Sequence, residues 1–354
     1  RVRGVREKLP SARYAMSART VGIRARVAPY VLIFAFLLAC APVGARAQSS
    51  WKPSRPVAFV VGATPGGSLD LTARLMQRVW DQQKTSGQPV IVINKPGAGQ
   101  GLAWAYMQDK GADGHAIALG GPNLISNEIT GVHPIGYTDV TTIAMLLDDY
   151  IAFVVRPDSR LASVRDAVER LRRDPGALTI GCGPALGGGA HIGAVVALRA
   201  GGVRVQDVRF VVYKSAGEAA TAVLAGEIDL AVGTVANYPP LLSAGRLRAI
   251  GVTSPQRLNG VMAQVPTLRD QGIDAVFTTW RNILGPRNMS PAQLAYWQDA
   301  VTQVMKSDEW RRDLERNFWT DNFLTGERAR KYLAQQSALY RKIFQEVGLA
   351  KSTP

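Results

Sequence analysis

Short apolar runs recur along the chain, and most of them end at a glycine or another turn residue. Runs of this kind predict buried strands. They cover residues 57–61, 90–93, 116–119, 151–155, 178–180, 209–213, 229–232 and 248–252. Longer stretches with helical periodicity separate most of these runs, and this alternation predicts an α/β fold with a largely parallel sheet.

The clearest helical pattern covers residues 68–84. Its apolar side chains recur at helical spacing and would form a buried face; they are Leu71, Leu75, Met76, Val79 and Trp80. Its polar side chains would form the opposite, exposed face; they are Asp70, Arg74, Gln77, Arg78 and Asp81. Such a division into two faces is typical of a helix that packs on a sheet.

After residue 288 the pattern predicts helices alone, over 290–305, 309–318 and 325–347. Ser290 followed by Pro291 is a favourable helix start, because serine caps a first turn well and proline fits the first helical position. We expect these helices to cover and support one lobe of the molecule.

Size and charge narrow the possible classes of protein. The chain has 354 residues, 47% of them hydrophobic, which is enough for two domains with their own cores. The net charge of +15 suggests a nucleic-acid or membrane partner. However, residues 1–47 hold nine of the basic residues and one of the acidic ones, which leaves 33 basic and 26 acidic residues and a net charge of +7. The excess therefore belongs largely to a leader, and we expect no nucleic-acid partner.

The leader has the parts of a secretory signal. Basic residues up to Arg26 precede the apolar stretch 27–41, and Ala-Arg-Ala at 45–47 resembles a cleavage site. We therefore predict a signal peptide over 1–47, with Met16 as a candidate start residue, and a periplasmic protein.

Two alternatives for the leader stay open. Leu-Leu-Ala-Cys ending at Cys40 resembles a lipoprotein signal, and an uncleaved membrane anchor is the other alternative. All of these routes export the chain. Cleavage after Ala47 would leave Cys182 as the single cysteine, so we expect no intramolecular disulfide.

Two glycine-rich turns each join a predicted strand to a helical stretch. The first is Pro65-Gly66-Gly67, and the second lies within 179–191, which holds five glycines. The free N–H groups and the dipole at a helix N-terminus attract anions, and glycine lets a ligand approach the backbone. Either turn alone could be plain turn chemistry. Two of them, one in each half of the chain, predict two lobes that face each other across a cleft.

The bound anion is not predicted to be a nucleotide phosphate. Residues 62–70 read GATPGGSLD, which lacks the Gly-Lys-Ser/Thr ending of a P-loop and the spacing of a dinucleotide fingerprint.

Catalytic and metal-binding patterns are weak. Cys182 and His191 could form a thiolate–imidazole pair, but we interpret them as a buried strand-end cysteine and a polar helix-start histidine. His115, His133 and His191 are too far apart in sequence to indicate a metal site. We predict a protein that is not an enzyme and that has no cofactor.

A series of motifs follows in order along most of the chain after the leader. They are 65–74, 94–99, 183–191, 217–219, 224–229, 244–249, 265–268 and 280–281. With these motifs the chain resembles the Bug family, the extracytoplasmic receptors of tripartite tricarboxylate transporters, and its citrate/tricarboxylate branch in particular. The resemblance implies a type II-like periplasmic binding fold with two lobes, each a mainly parallel sheet flanked by helices, and a hinge. Lobe 1 would be 51–152 plus 253–354, and lobe 2 would be 153–252.

The resemblance also implies a ligand site in the cleft between the lobes. In the family the two strand–helix turns hold a ligand carboxylate, partly through water. Carried over to this sequence, the site residues are Thr64, Pro65, Gly66, Gly67, Ser68, Asp70, Gly183, Gly187, Gly188, Gly189, His191, Lys214, Ser215, Trp280 and Arg281. We expect Asp70 to cap N–H groups of its own helix or to bind water, because an acid facing a carboxylate would repel it.

This sequence departs from its relatives at two places. Relatives often carry Thr or Ser near Gly188-Gly189, so backbone or water would replace a hydroxyl donor here. Lys214 often corresponds to a neutral residue in relatives. It would add a charge for a second carboxylate if it faces the cleft, and would be an ordinary surface lysine if it does not.

The function implied is a monomeric receptor that captures a di- or tricarboxylate or a related organic acid and delivers it to membrane transporter subunits. Two alternatives are a ligand sensor that presents the acid to a signalling kinase and a hydrolase that uses Cys182 and His191.

Overall fold

The computed structural model describes residues 51–351. The predicted signal peptide, Met16 and Cys40 lie outside these residues. The ten strands are β1 Val57–Val61, β2 Val90–Asn94, β3 Ala116–Gly120, β4 Thr141–Val155, β5 Thr179–Cys182, β6 Arg209–Val212, β7 Leu230–Thr234, β8 Arg248–Val252, β9 Thr278–Gly285 and β10 Thr320–Thr325.

The helices alternate with the strands in most of the chain, as predicted. The ten α-helices of the described residues are α1 Ser68–Gln83, α2 Gly101–Asp109, α3 Asn123–Thr130, α4 Val164–Arg173, α5 Gly189–Ala200, α6 Ala216–Ala225, α7 Pro239–Ser243, α8 Pro291–Met305, α9 Asp308–Asn317 and α10 Gly326–Glu346. Ser290 caps α8, and its hydroxyl accepts a hydrogen bond from the Gln293 N–H.

The strands run in the order β2-β1-β3-β9-β4-β7-β5-β6, with β8 and β10 also paired to β4. Parallel pairing is confined to two triplets, β2-β1-β3 and β6-β5-β7, and all pairs made by β4 and β9 are antiparallel. Each half of the sheet therefore has the same plan, with β1 and β5 as the central parallel strands.

The long strand β4 joins the two halves. Its residues 141–150 pair with β9, and its residues 151–154 pair with β7. The chain returns between the halves after β8, where the Thr253 hydroxyl accepts from the Ile151 N–H at 2.9 Å and donates to the Phe277 carbonyl at 2.7 Å. The two crossings therefore lie side by side.

Helices cover both faces of the first half of the sheet. Along β1, Phe59 belongs to a core that includes Trp80 of α1 and Trp297 of α8, whereas Val60 belongs to a core that includes Trp104 of α2. This alternation is what a strand buried on both faces requires.

One prediction about the C-terminal region is wrong. The segment after residue 288 contains a strand, β10, between α9 and α10, and this strand pairs antiparallel with β4. Its sequence, TDNFLT, is mixed in polarity, and none of its residues is fully buried. An edge strand of this kind lacks the apolar run by which the other strands were predicted.

Candidate functional site

The two glycine turns occupy equivalent places in the two halves of the sheet. The first joins β1 to α1, and the second joins β5 to α5. Both strands are central in a parallel triplet, so each turn lies at the carboxyl edge of its sheet. This edge is where open α/β sheets bind their ligands.

The backbone of the two turns has the same geometry. Gly66 and Gly187 have left-handed φ values of 80° and 76°. The next residues, Gly67 and Gly188, begin the helices with φ/ψ of −70°/160° and −71°/165°. Each of these two also donates its N–H to the carbonyl three residues earlier, at 3.2 Å. The chain thus folds the same type of strand–helix turn twice.

A side chain on each helix holds the turn in place. The Gly66 N–H donates to Asp70 Oδ2 at 2.9 Å, and the Gly187 N–H donates to His191 Nδ1 at 3.0 Å. Asp70 and His191 stand at the same position, four residues after the donor. Asp70 therefore binds the turn before its helix, where we had expected it to bind the helix's own first-turn N–H groups or water.

Asp70 is buried and accepts further hydrogen bonds. Arg74 Nε donates to Oδ2 at 2.8 Å, and Asn94 Nδ2 donates to Oδ1 at 2.8 Å. Burial by itself would raise the pKa of Asp70, but the bonds from Arg74, Gly66 and Asn94 outweigh it and lower the pKa below its usual value. The carboxylate is therefore ionised and fully engaged with the protein.

His191 is neutral. Burial lowers its pKa to about 4, and its ring packs edge-on against Phe210 with a centroid distance of 4.6 Å. Since Nδ1 accepts from Gly187, the proton of the neutral ring lies on Nε2.

Cys182 is buried, and burial raises the pKa of its thiol to about 12. A thiolate nucleophile needs a lowered pKa and a base that can take its proton. Neither condition is met here, because His191 Nδ1 already accepts from Gly187. The hydrolase alternative has no support in this geometry.

The first turns of α1 and α5 have no side-chain cap. Within residues 51–351, no side chain accepts a first-turn N–H at the Gly67 or Gly188 caps. The hydroxyls of Ser163, Ser215 and Ser307 each cap another helix, whereas α2, α3, α7 and α10 also lack a side-chain cap. The N-terminal N–H groups of the two glycine-capped helices are thus left for an external acceptor such as a carboxylate.

Several glycines of the site are required by close contacts. A β-carbon on Gly62, the first residue after β1, would lie 2.5 Å from Gln100 Cβ. A β-carbon on Gly189 would lie 2.6 Å from Thr279 Oγ1 of β9. The second turn is therefore in contact with residues of the first half of the sheet.

Two buried amide side chains that we had not predicted lie beside the turns. Gln100 precedes α2 and Asn123 opens α3, and Gln100 Nε2 donates to Asn123 Oδ1 at 3.2 Å. The signal in the sequence was their position, since Gln100 directly follows the glycine-rich motif 94–99 and Asn123 follows the turn that ends β3. Single amides in loops have no periodicity that marks them as site residues.

The turn after β6 is held by the first turn of α6. Ser215 caps α6, with its hydroxyl accepting from the Glu218 N–H at 3.1 Å. The Lys214 N–H donates to Glu218 Oε2, and the Lys214 side chain is exposed. The two alternatives for Lys214, a lysine that faces the cleft and an ordinary surface lysine, both stay predictions. Gly183 packs against this turn, since a β-carbon there would lie 2.7 Å from the Tyr213 carbonyl oxygen.

Trp280 and Arg281 are consecutive in β9 and so point to opposite faces of the sheet. Trp280 is buried in the same core as Val60. Arg281 donates to Asp149 Oδ2 at 3.0 Å and to Thr72 Oγ1 at 2.9 Å. Its guanidinium carbon also lies 4.4 Å from the centre of the Trp319 ring.

Arg281 is therefore a structural cation, which corrects its prediction as a ligand residue. Complete burial raises the pKa of Asp149 to about 6, and the charge of Arg281 opposes that shift. Removal of the guanidinium from Asp149 for a ligand would leave a buried carboxylate unpaired, which is costly.

The described residues hold neither a metal-binding cluster nor a membrane-spanning helix. Residues 51–351 contain no group of three or more His, Cys, Asp or Glu side chains placed to hold a metal ion. None of the helices in this part of the chain is both long and apolar enough to cross a membrane.

Comparisons with known proteins identify the family of the chain. The model of the tripartite tricarboxylate transporter family receptor, TctC, matches residues 73–349. The UPF0065 protein in the gbd 5' region of Cupriavidus necator is 27% identical over 316 residues, which cover 89% of this chain and 94% of the relative.

Solved structures show the same fold. A TctC solute-binding protein from Polaromonas is 26% identical with a TM-score of 0.64, and the match covers 83% of this chain and 99% of that one. The R. palustris protein Rpa4515, solved with adipate, is 24% identical with a TM-score of 0.74, and the match covers 84% of this chain and 99% of that one. The predicted fold class, a two-lobed periplasmic binding protein, is confirmed. This chain belongs to the tripartite tricarboxylate transporter receptor family, whose members are periplasmic solute-binding receptors and not enzymes.

Proposed function

We propose that the chain is a receptor that captures a small carboxylate between two lobes and delivers it to the membrane subunits of a tripartite transporter. The observation that carries the proposal is the pair of matched glycine turns, each at the carboxyl edge of a parallel triplet and each opening a helix without a side-chain cap. Two such helix ends supply N–H donors that offset the cost of desolvating an anion.

The ligand would bring the two lobes together. We propose the lobe bounds 51–152 plus 253–354 and 153–252, with the hinge at the adjacent crossings where Thr253 bonds to Ile151. Closure of this kind is a two-state shift, and the ligand favours the closed state by as much as it binds that state more tightly. The closed receptor would then dock on its membrane partners as a monomer.

The class of ligand is supported by one solved neighbour. The R. palustris protein of the same fold was solved with adipate, a small dicarboxylate. We infer that the ligand of this chain is also a small organic acid.

A thermal-shift screen of the purified protein tests the function. The screen uses di- and tricarboxylates, aromatic acids and amino acids. A ligand at 100 times its Kd stabilises the protein by about 2.7 kcal/mol, which is a readily measured shift in melting temperature. If no carboxylate shifts the melting temperature, the proposed function is wrong.

The variant Gly67→Val tests the site. A β-carbon at Gly67 would lie 3.2 Å from the Thr64 carbonyl oxygen, and the valine methyl groups would cover the first-turn N–H groups. We expect the affinity for the best carboxylate to fall at least about tenfold, measured by calorimetry. The control is Gly176→Val, an exposed glycine in the loop before β5, at the opposite edge of the sheet. Equal affinities of the two variants would exclude the first turn from the site.

A further inference from the structure

Gln100 and Asn123 form a buried amide pair between the two glycine turns. Their side chains are nine-tenths or more buried, with 7% and 5% of each residue exposed. The Gln100 side chain packs against Gly62, where the chain leaves β1 for the first turn. The Asn123 Nδ2 atom lies 4.0 Å from a β-carbon placed on Gly188, the residue that caps α5. The pair therefore touches both halves of the proposed cleft.

Each amide of the pair keeps one polar atom without a partner. Among the described residues nothing bonds to the buried Gln100 Oε1 or to the buried Asn123 Nδ2. When two side-chain amides bond to each other, one carbonyl oxygen and one NH₂ group remain free. Exchanging the O and N positions of both amides together does not change this result. The pair thus offers one acceptor and one donor side by side.

Two arginines near the turns are already engaged. Arg74 is bonded to Asp70, and Arg281 is bonded to Asp149 on the opposite face of β9. Asp70 and Asp149 are buried. Moving either arginine to a second negative charge at the amide pair would therefore leave a buried carboxylate unpaired, which is costly.

We propose that Gln100 and Asn123 select a second polar group of the ligand, next to its bound carboxylate, and that this group is neutral and both donates and accepts hydrogen bonds. A hydroxyl or a carboxamide fits this description. The ligand class is therefore a monoanion, such as a hydroxy acid or the monoamide of a dicarboxylic acid. The inference rests on the proposed function, because the carboxylate is assigned to the glycine turns.

A second carboxylate fits the amide pair poorly. It has acceptors only, so one of its oxygens would face the free carbonyl oxygen of the pair. Its charge would also lose its hydration without gaining a cation, and such a loss is costly in a buried site. Because the neutral group satisfies both atoms of the pair, we expect the discrimination against dicarboxylates to be at least about tenfold.

Calorimetric titration near neutral pH tests the proposal with matched ligands. Two series are used, on the succinate and adipate skeletons. Each contains the dicarboxylate, its monoamide, the hydroxy acid of equal length and the plain monocarboxylate. We expect the monoamide or the hydroxy acid to bind at least about tenfold more tightly than the dicarboxylate of the same series. Equal or tighter binding of the dicarboxylate would overturn the inference and leave the receptor function intact. If no member of either series binds, the inference is overturned, and the thermal-shift screen with the wider set of acids decides the receptor function.

The variant Gln100→Met tests whether the amide pair causes the preference for the monoamide or the hydroxy acid over the dicarboxylate. It keeps the length of the side chain but removes the free acceptor, so the preference should fall to within about threefold while the plain monocarboxylate loses less affinity. Gln82→Met, at an exposed position of α1, is the control and should keep the preference. Asn123→Ala removes the free donor and reports independently if Gln100→Met does not fold. An unchanged preference in either folded variant would overturn the assignment.

Discussion

At the scale of single residues, the two turns are held by the same bond from chemically different side chains. Asp70 accepts the Gly66 N–H as an ionised carboxylate that Arg74 neutralises. His191 accepts the Gly187 N–H as a neutral ring. Neither side chain therefore presents a free charge to an anion at the helix ends. The difference matters in acid, where the imidazole takes up a proton and can no longer accept at Nδ1.

His191 should make the stability of the protein depend on pH. Its folded pKa of about 4 lies below its value of 6.5 in the unfolded chain, so the native state binds fewer protons in that range. The contribution of His191 to the free energy of unfolding is fully present above pH 6.5. It is lost as the pH falls towards 4, by an amount on the order of 3 kcal/mol.

Urea unfolding of the wild type and of His191→Gln, in steps across this pH range, measures that contribution. Glutamine keeps an acceptor but does not titrate, so the variant should lose less stability in acid. Asp149 changes the stability in the opposite direction with pH, because its folded pKa is raised to about 6. Both proteins contain Asp149, so its effect cancels in the comparison. An equal loss of stability in both proteins would show that His191 does not titrate as described.

The first turn of α1 shows where the sequence pattern fails at the residue scale. The periodicity placed Leu71 in the buried face and Asp70 in the exposed one. In the structure Leu71 is 53% exposed and Asp70 is buried. The rest of the predicted apolar face, such as Leu75 and Val79, is buried. A hydrophobic pattern cannot reveal that a carboxylate is buried by hydrogen bonds from Gly66, Arg74 and Asn94, because the pattern carries no information on polar partners.

At the scale of elements, the apolar runs predicted the central strands and the glycine turns correctly. They missed the first part of β4 and the two strands that pair antiparallel with it, β9 and β10. β9 reads TTWRNILG, and its Arg281 is buried because Asp149 of β4 neutralises it. Such pairing is a tertiary effect. A single stretch of sequence does not show which distant residue will pair with it. The amide pair of Gln100 and Asn123 was missed for this reason as well.

The C-terminal helix α10 contacts both halves of the sheet. Arg341 pairs with Glu128 of α3 at 2.6 Å, and Glu346 pairs with Arg199 of α5. Between these pairs, the Phe344 ring lies 3.2 Å from a β-carbon placed on Gly187 and stacks on Tyr340. The helix therefore supports the second turn from behind.

Phe344→Ala should lower the free energy of unfolding by about 3–5 kcal/mol, because it removes a fully buried ring and leaves a cavity beside the turn. Leu339→Ala is the matched control on the same helix, where the side chain is 45% exposed and the expected change is within about 0.5 kcal/mol. Denaturant unfolding measures both. Similar values for the two variants would mean that α10 does not pack on the turn as described.

At the scale of the whole molecule, the two halves repeat one plan but expose their turns differently. Thr64, Pro65 and Gly66 of the first turn are exposed, whereas Gly187 and Gly188 of the second are buried against the first half and α10. In this arrangement the first turn is open to solvent, whereas access to the second turn would require the halves to separate.

The central claim is that both turns bind the same carboxylate, and a double-variant calorimetric titration tests it most directly. The affinity of the best carboxylate is measured for the wild type, Gly67→Val, Gly188→Val and the double variant, after the unliganded proteins are shown to melt at similar temperatures. We predict that each single variant loses at least about tenfold in affinity and that the double variant loses less than the product of the two, because both changes act on one shared contact. Wild-type affinity in either single variant would contradict the claim.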